Sequence, residues 1–232
     1  MTENKPAIQR QFVNFSYYKL NPEWHKLSSQ DQQTAKQEFL DAYQSYHGKL
    51  ILLSYAMQGM RADCDLMLWR ISSSLEIFNQ MSAEMQRTGL GKYLLSSHSF
   101  LSMTKRSMYV DKIDPHHIES RTVIKPGKYK YIFVYPFVKM REWYLLSLAE
   151  RQVMMDEHIR IGNKYPSVKL NTTYSFGLDD QDFVVAFESD YPADFLDLVM
   201  ELRESQGSKY TVRDTPIFTC IAKSIQEIVK DF

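Results

Sequence analysis

Residues Tyr131–Glu188 read YIFVYPFVKMREWYLLSLAERQVMMDEHIRIGNKYPSVKLNTTYSFGLDDQDFVVAFE, and the reading of this stretch decides the expected fold. Its opening, YIFVYPFV, is a β-branched and aromatic run, the composition of a strand. Ser147 and Glu150 have the spacing of a capping box, so a helix is predicted to begin there. Met154 and Met155 precede His158 by four and three residues, which puts all three on one face of that helix. Further along, YPSVKLNT and DFVVAFE read as two more strands.

The pattern has an echo upstream. Gln11–Leu20 reads as a first strand, and Asn21 followed by Pro22 is a helix start. A helical signal follows Ser29, with Ala35, Phe39, Ala42, Tyr43 and Tyr46 on one face and Gly48 as its expected stop. KLILLSYAM and DLMLWRIS read as strands joined through Gly59. Ser73 and Glu76 have capping-box spacing, and Leu75, Phe78, Met81 and Met85 make the next apolar face. The SMTKRSMYV segment ending at Val110 is read as a strand, and the two prolines and adjacent histidines of 111–127 as a loop. Asp63-Cys-Asp65-Leu-Met-Leu matches Asp180-Gln-Asp182-Phe-Val-Val, 117 residues on, and at that offset Phe78 meets Phe195, Met81 meets Leu198 and Met85 meets Leu202. A duplicated βαββαβ unit follows, of α+β class, with helices over one face of an antiparallel sheet. The expected division is 1–110, a linker loop 111–128, and 129–232.

Composition narrows the function classes. The chain has 232 residues, 44% of them hydrophobic, with a formal net charge of zero. That gives a sizeable core and no general attraction to nucleic acid or an anionic membrane. No window approaches the roughly 18 apolar residues of a membrane span. MTENKPAIQRQ has no apolar core of a secretory signal, and two cysteines, Cys64 and Cys220, make no disulfide framework. A soluble cytoplasmic protein is expected. No Walker loop, GxGxxG, HExxH or GxSxG is present, and Asp179, Asp180 and Asp182 read as a strand-entry turn and solvent face.

By spacing, His158 is either a packed histidine favoured by the helix dipole or an axial ligand to a haem iron. The pieces YPFVK, EWYLL, ERQVMMDEH, YPSVKLNT and SFGLDDQDFVVAFE resemble the chlorite dismutase-like superfamily of haem proteins. Within it they are most similar to the coproheme decarboxylases, especially the actinobacterial-type branch. The resemblance covers the C-terminal half well and the N-terminal half in outline. It implies two ferredoxin-like halves forming a barrel, assembled as a homo-oligomer, usually a ring of five. It also implies peroxide-dependent decarboxylation of iron coproporphyrin III, at once substrate and redox centre, to haem b; the alternatives are another haem-dependent peroxidase or chlorite dismutase-like enzyme, or a haem-binding protein without turnover.

The resemblance assigns roles residue by residue. His158 matches the proximal ligand, and Tyr135 the tyrosine that relays a radical. Lys139 and Arg121 match groups that hold propionates, and Trp143 the tryptophan of EWYLL. Leu170 stands where chlorite-degrading relatives carry an arginine and many firmicute decarboxylases a glutamine. Leucine cannot hydrogen-bond an oxyanion, which argues against chlorite chemistry. The acid–base group then falls to His116 or His117, with His117 nearer the relatives' histidine. A glutamate that supports the proximal histidine in several relatives should fall near Gln206, where no carboxylate stands. Each residue also has a structural reading: Tyr135 and Trp143 as packing, Lys139, Arg121 and the loop histidines as solvated groups.

Overall fold

The computed structural model describes residues 9–109 and 123–232. The first half runs β1 (Phe12–Leu20), a 3-10 turn (Pro22–Lys26), α1 (Ser29–Gln44), β2 (Ile51–Ala56), β3 (Leu66–Ser72), α2 (Glu76–Arg87) and β4 (Leu94–Met103). The second runs β5 (Tyr131–Lys139), α3 (Arg141–Leu145), α4 (Leu148–Gly162), β6 (Lys169–Tyr174), β7 (Phe183–Ser189) and α5 (Pro192–Glu204). A 3-10 turn (Gln206–Tyr210), β8 (Thr211–Arg213), β9 (Phe218–Ala222) and α6 (Ile225–Asp231) complete it.

Among the described residues the sheet orders β4-β1-β3-β2 in one half and β6-β7-β5-β9 in the other, the ferredoxin-like arrangement twice over. All pairs are antiparallel. The halves meet at two short seams: Tyr55↔Ala222 and Ala56↔Ile221 between β2 and β9, and Met103↔Tyr174 between β4 and β6. Within a half the ladders are long; β5 and β7 pair from Tyr131↔Ser189 to Phe137↔Phe183. The sheet thereby closes on itself as a barrel, with the expected α+β class and duplicated halves.

Closure divides every strand by parity. Val13, Phe15 and Tyr17 of β1, Ile132 and Val134 of β5, and Val184 and Ala186 of β7 pack together inside the barrel. Their neighbours, offset by one, face the helices. In the first half that outer face meets α1 through Ala35, Phe39 and Tyr43 and α2 through Met81 and Met85. In the second it carries Phe133, Tyr135 and Phe187 against Phe195 and Leu198 of α5 and Ile161 of α4.

The duplication reaches further than the 117-residue match. Upstream of β2 the spacing is 119. Ser28 and Ser147 cap α1 and α4, each accepting from the third residue on, Asp31 and Glu150. Trp24 lies 5.6 Å from Tyr93, and Trp143 lies 5.6 Å from Tyr210, ring centre to ring centre. Asn21 N donates to Tyr93 O at 2.8 Å, and Met140 N to Tyr210 O at 2.8 Å. Asp65 accepts from Leu20 N and Asp182 from Lys139 N, each at 2.8 Å, and the N–H of each aspartate returns to β1 or β5.

Several local expectations are corrected. Asn21–Pro22 opens only a five-residue 3-10 turn. Helix α1 ends at Gln44, ahead of Gly48, whose φ of 77° serves the turn into β2. No capping box forms at Ser73: α2 starts at Glu76, and Ser74 takes that carboxylate. The strand expected at SMTKRSMYV lies earlier, at β4, because β1 pairs it from Phe12↔Met103 to Leu20↔Leu94. Residues Asp111 to Arg121 lie outside the described residues. Asp182 is not a solvent-facing residue but a bonded one, and Asp179 likewise accepts from Leu101 N and Gln181 Nε2. The second half also has α3, β8 and α6, which no periodicity announced.

Asp65→Ala removes the acceptor of a buried N–H and the partner of Lys19, whose Nζ stands 2.9 Å from the carboxylate. The expected cost is about 1–3 kcal/mol, read as a lower urea midpoint at unchanged slope. An unaltered midpoint would show that this carboxylate does not tie β1 to β3.

Candidate functional site

The duplication supplies an internal control for the second half. At the 119-residue spacing His158 takes the place of Phe39, Lys139 that of Leu20, and Gly162 that of Tyr43. In the first half those three side chains are core: Phe39 is 1% exposed, Leu20 9% and Tyr43 3%. Their counterparts are an imidazole, an amine and a hydrogen atom. Accordingly α4, though 15 residues long, buries only Gln152 and Ile161. His158 is half-buried and makes no hydrogen bond among the described residues. Apart from the helix's own backbone, no atom of the described residues lies within 4 Å of where a Cβ on Gly162 would stand. The helix therefore keeps an incompletely filled face toward the sheet.

Lys139 ends β5, just before α3 begins. Its ammonium donates to Gly207 O at 3.1 Å and sits 4.1 Å from the centre of the Trp143 ring, a cation–π distance. No carboxylate pairs with it among the described residues. The nearby Asp182 is engaged by Lys139 N and by Tyr144 Oη, both at 2.8 Å. Burial lowers the Lys139 pKa to about 8, against a smaller opposing pull from Asp182. Burial, and then the Lys139 ammonium, lower that of His158 to about 4. Near neutral pH the histidine is consequently an uncharged imidazole, the form that binds metals.

The other expected residues fall around this pair. Tyr135 faces the helices on β5, 8% exposed, its ring 6.0 Å from Phe187. Burial, with Asp214 adding to it, raises its pKa and keeps the phenol protonated. Leu170 is opposite Phe187 in the β6–β7 register, so it shares the outer face with Tyr135, and it is 48% exposed. Trp143 is buried, a packed aromatic that is also the platform under Lys139. Gln206 offers no support to His158: its N–H donates to Glu157 at 2.9 Å. Arg121, His116 and His117 lie outside the described residues.

Sequence reasoning missed Asp182, Tyr144 and the Gly207 carbonyl. A signal existed in the pair Glu23-Trp24 and Glu142-Trp143, whose 119-residue spacing marks α3 as the counterpart of the first 3-10 turn.

A family model for chlorite dismutase matches residues 32–223. The chain belongs to the chlorite dismutase family. One relative, a coproheme decarboxylase of Mycolicibacterium smegmatis, is 31% identical over 176 residues, 75% of this chain and 74% of that protein. A mutant chlorite dismutase from Candidatus Nitrospira defluvii superposes with a TM-score of 0.88 at 25% identity, over 95% of this chain and 94% of that one. A haem-binding protein from Thermus thermophilus shares the fold, with a TM-score of 0.86 at 23% identity over 96% and 94% of the two chains. Among the described residues of this family member, no helix is long and apolar enough to cross a membrane.

Two measurements on the ligand-free protein follow. Phe39→Ala opens a filled core and should cost about 3–5 kcal/mol, whereas His158→Ala should cost under about 1 kcal/mol. Equal losses would mean that α4 packs as α1 does. The pH dependence has a fixed sign. Lys139 titrates near 8 when folded and near 10.5 when free, so the unfolded chain binds more protons between those values. Stability should rise with pH across that window, and the destabilisation should be fully present below it. His158 produces a second rise between about 4 and 6.5. Lys139→Met should flatten the upper rise in urea midpoints; a rise of unchanged size would assign it to another group.

Proposed function

We propose that this family member decarboxylates iron coproporphyrin III to haem b with hydrogen peroxide as oxidant. The observation that carries the reading is the replacement of Phe39 and Leu20 by His158 and Lys139 at equivalent positions. A half-buried neutral imidazole with no hydrogen-bond partner among the described residues suits an iron ligand. A half-buried ammonium that pairs with no carboxylate among the described residues suits an anionic propionate as a point charge. The coproheme decarboxylase relative supports the same substrate. These residues fit an iron porphyrin, which His158 on α4 and Lys139 at the end of β5 would hold.

When bound, the iron porphyrin would supply the redox centre for oxidation of its own propionates by peroxide. His158 holds the iron from α4. Lys139 fixes one propionate, and Trp143 beneath it limits where the ammonium can reach. Tyr135, protonated and largely shielded from water, gives up its phenolic hydrogen and recovers one from the propionate carbon. Two of the propionates in turn lose carbon dioxide and become vinyl groups, and at each of them one peroxide and one proton become two waters. Leu170 leaves no side-chain donor at its position to hold chlorite. On the resemblance alone, Arg121 is assigned to a propionate and His117 to moving the peroxide proton. Assembly as a ring of five copies, a cytoplasmic location, and a division into 1–110 and 129–232 across a 111–128 linker belong to the same proposal.

The deciding experiment incubates the protein with iron coproporphyrin III and peroxide and follows porphyrin masses. Stepwise appearance of a monovinyl product and then haem b is expected. Tyr135→Phe, which removes one oxygen, should bind the porphyrin with unchanged affinity yet leave it undecarboxylated. Conversion at the wild-type rate in that variant would reduce Tyr135 to packing.

A further inference from the structure

Of the eight glycines, only Gly162 and Gly207 are called for neither by a positive φ nor by a close approach of the described residues. Gly48, Gly59 and Gly177 take a positive φ, and a Cβ on Gly89, Gly91 or Gly127 would collide with neighbouring atoms. A Cβ on Gly207 would stand in ordinary contact, 4.0 Å from Met154 Cβ, and one on Gly162 would meet no described residue outside its own helix backbone within 4 Å. Nor is Gly162 a left-handed helix stop: the cap that follows, Asn163, stays in the right-handed helical region, at φ −68°. An alanine would fit and would suit the helix better, since glycine carries the larger loss of backbone freedom on folding.

The position explains the choice. Gly162 follows His158 by four residues and so lies on the same face, one turn on, about 5.4 Å along the axis. Ile161, beside it, is packed toward the sheet with Tyr135 and Phe187. The equivalent residue in the first half, Tyr43, fills this space with a buried ring. We propose that Gly162 is a specificity-determining residue, whose missing side chain lets a planar macrocycle lie flat against the last turn of α4. The inference rests on the iron-porphyrin reading of the site. A flat ligand centred over His158 extends beyond one helical turn and passes over Gly162. A small ligand of the imidazole alone would not reach that far, so this glycine selects for ring size.

The test uses wild type, Gly162→Ala, Gly162→Tyr and, as a control on the exposed side of α4, Val153→Tyr. Each is titrated with iron coproporphyrin III by Soret absorbance and melted without ligand by circular dichroism. Gly162→Ala should melt about 2–4 °C higher while binding the porphyrin several-fold more weakly. Gly162→Tyr, which restores the first half's side chain, should lose at least about tenfold in affinity with its helical signal intact. Val153→Tyr should bind as wild type does. Wild-type affinity in Gly162→Tyr overturns the inference and leaves the porphyrin reading standing. Failure of wild type itself to bind overturns the porphyrin reading, and the inference with it. If Gly162→Tyr does not fold, the alanine variant decides: stability and affinity moving in opposite directions support the inference, and moving together they overturn it.

Discussion

Closing the sheet into a barrel commits one face of every strand to the interior, and the rest of the molecule follows from that constraint. Val13, Phe15, Tyr17, Ile132 and Val134 are used up inside, so the opposite face of each half must be covered by helices or left wet. The first half covers it fully. Helix α1 presses Phe39 and Tyr43 onto the sheet, and beneath α2 the Arg70 guanidinium bonds Asn14, Ser16, Ser82 and the Phe78 carbonyl. The acceptors around that buried cation are all neutral, so the half is sealed without a counter-charge.

The second half keeps the frame and changes what fills it. Asn14, Ser16 and Arg70 correspond to Phe133, Tyr135 and Phe187, a polar staple exchanged for an aromatic cluster in which Phe133 stacks on Phe195 at 4.0 Å. That cluster anchors α5, which frees α4 from carrying the core. Helix α4 can then hold His158 and Gly162 where α1 holds Phe39 and Tyr43. The frame itself is kept by the paired aspartates: Asp65 and Asp182 make the same bond to the end of β1 and of β5. They differ in what else they take. Asp65 neutralises Lys19, whereas Asp182 bonds the Tyr144 hydroxyl, and among the described residues the Lys139 ammonium has no ion pair.

The consequence is electrostatic. A lysine at a position built for leucine is desolvated, and its charge falls on the histidine of the neighbouring helix. Burial lowers the proton affinity of both groups, and the ammonium lowers the histidine's further. An anion and a metal relieve both strains together. One shared ligand that carries a carboxylate beside a metal ion answers that chemistry, and an iron porphyrin with propionates is such a ligand.

Elements with a local signal were legible in the chain alone. A β-branched and aromatic run marked β5, the Ser147–Glu150 spacing marked α4, and the Phe78/Phe195 correspondence marked the duplication, because these signals lie in residue types and spacings along the chain itself. The same spacing put His158 on a face with Met154 and Met155, but it could not separate a packed histidine from a ligand. Long-range contacts decided the rest. The position of β4 was set by pairing with β1 against an ambiguous local pattern, and the Ser73 cap lost its glutamate to Ser74. Asp182, read locally as a solvent-facing turn residue, is bonded across the chain to Lys139 and Tyr144. Which of two similar helices would be packed and which left open depends on what lies across from it in space. A 3.6-residue period reports that a face is apolar, not whether the opposing surface fills it.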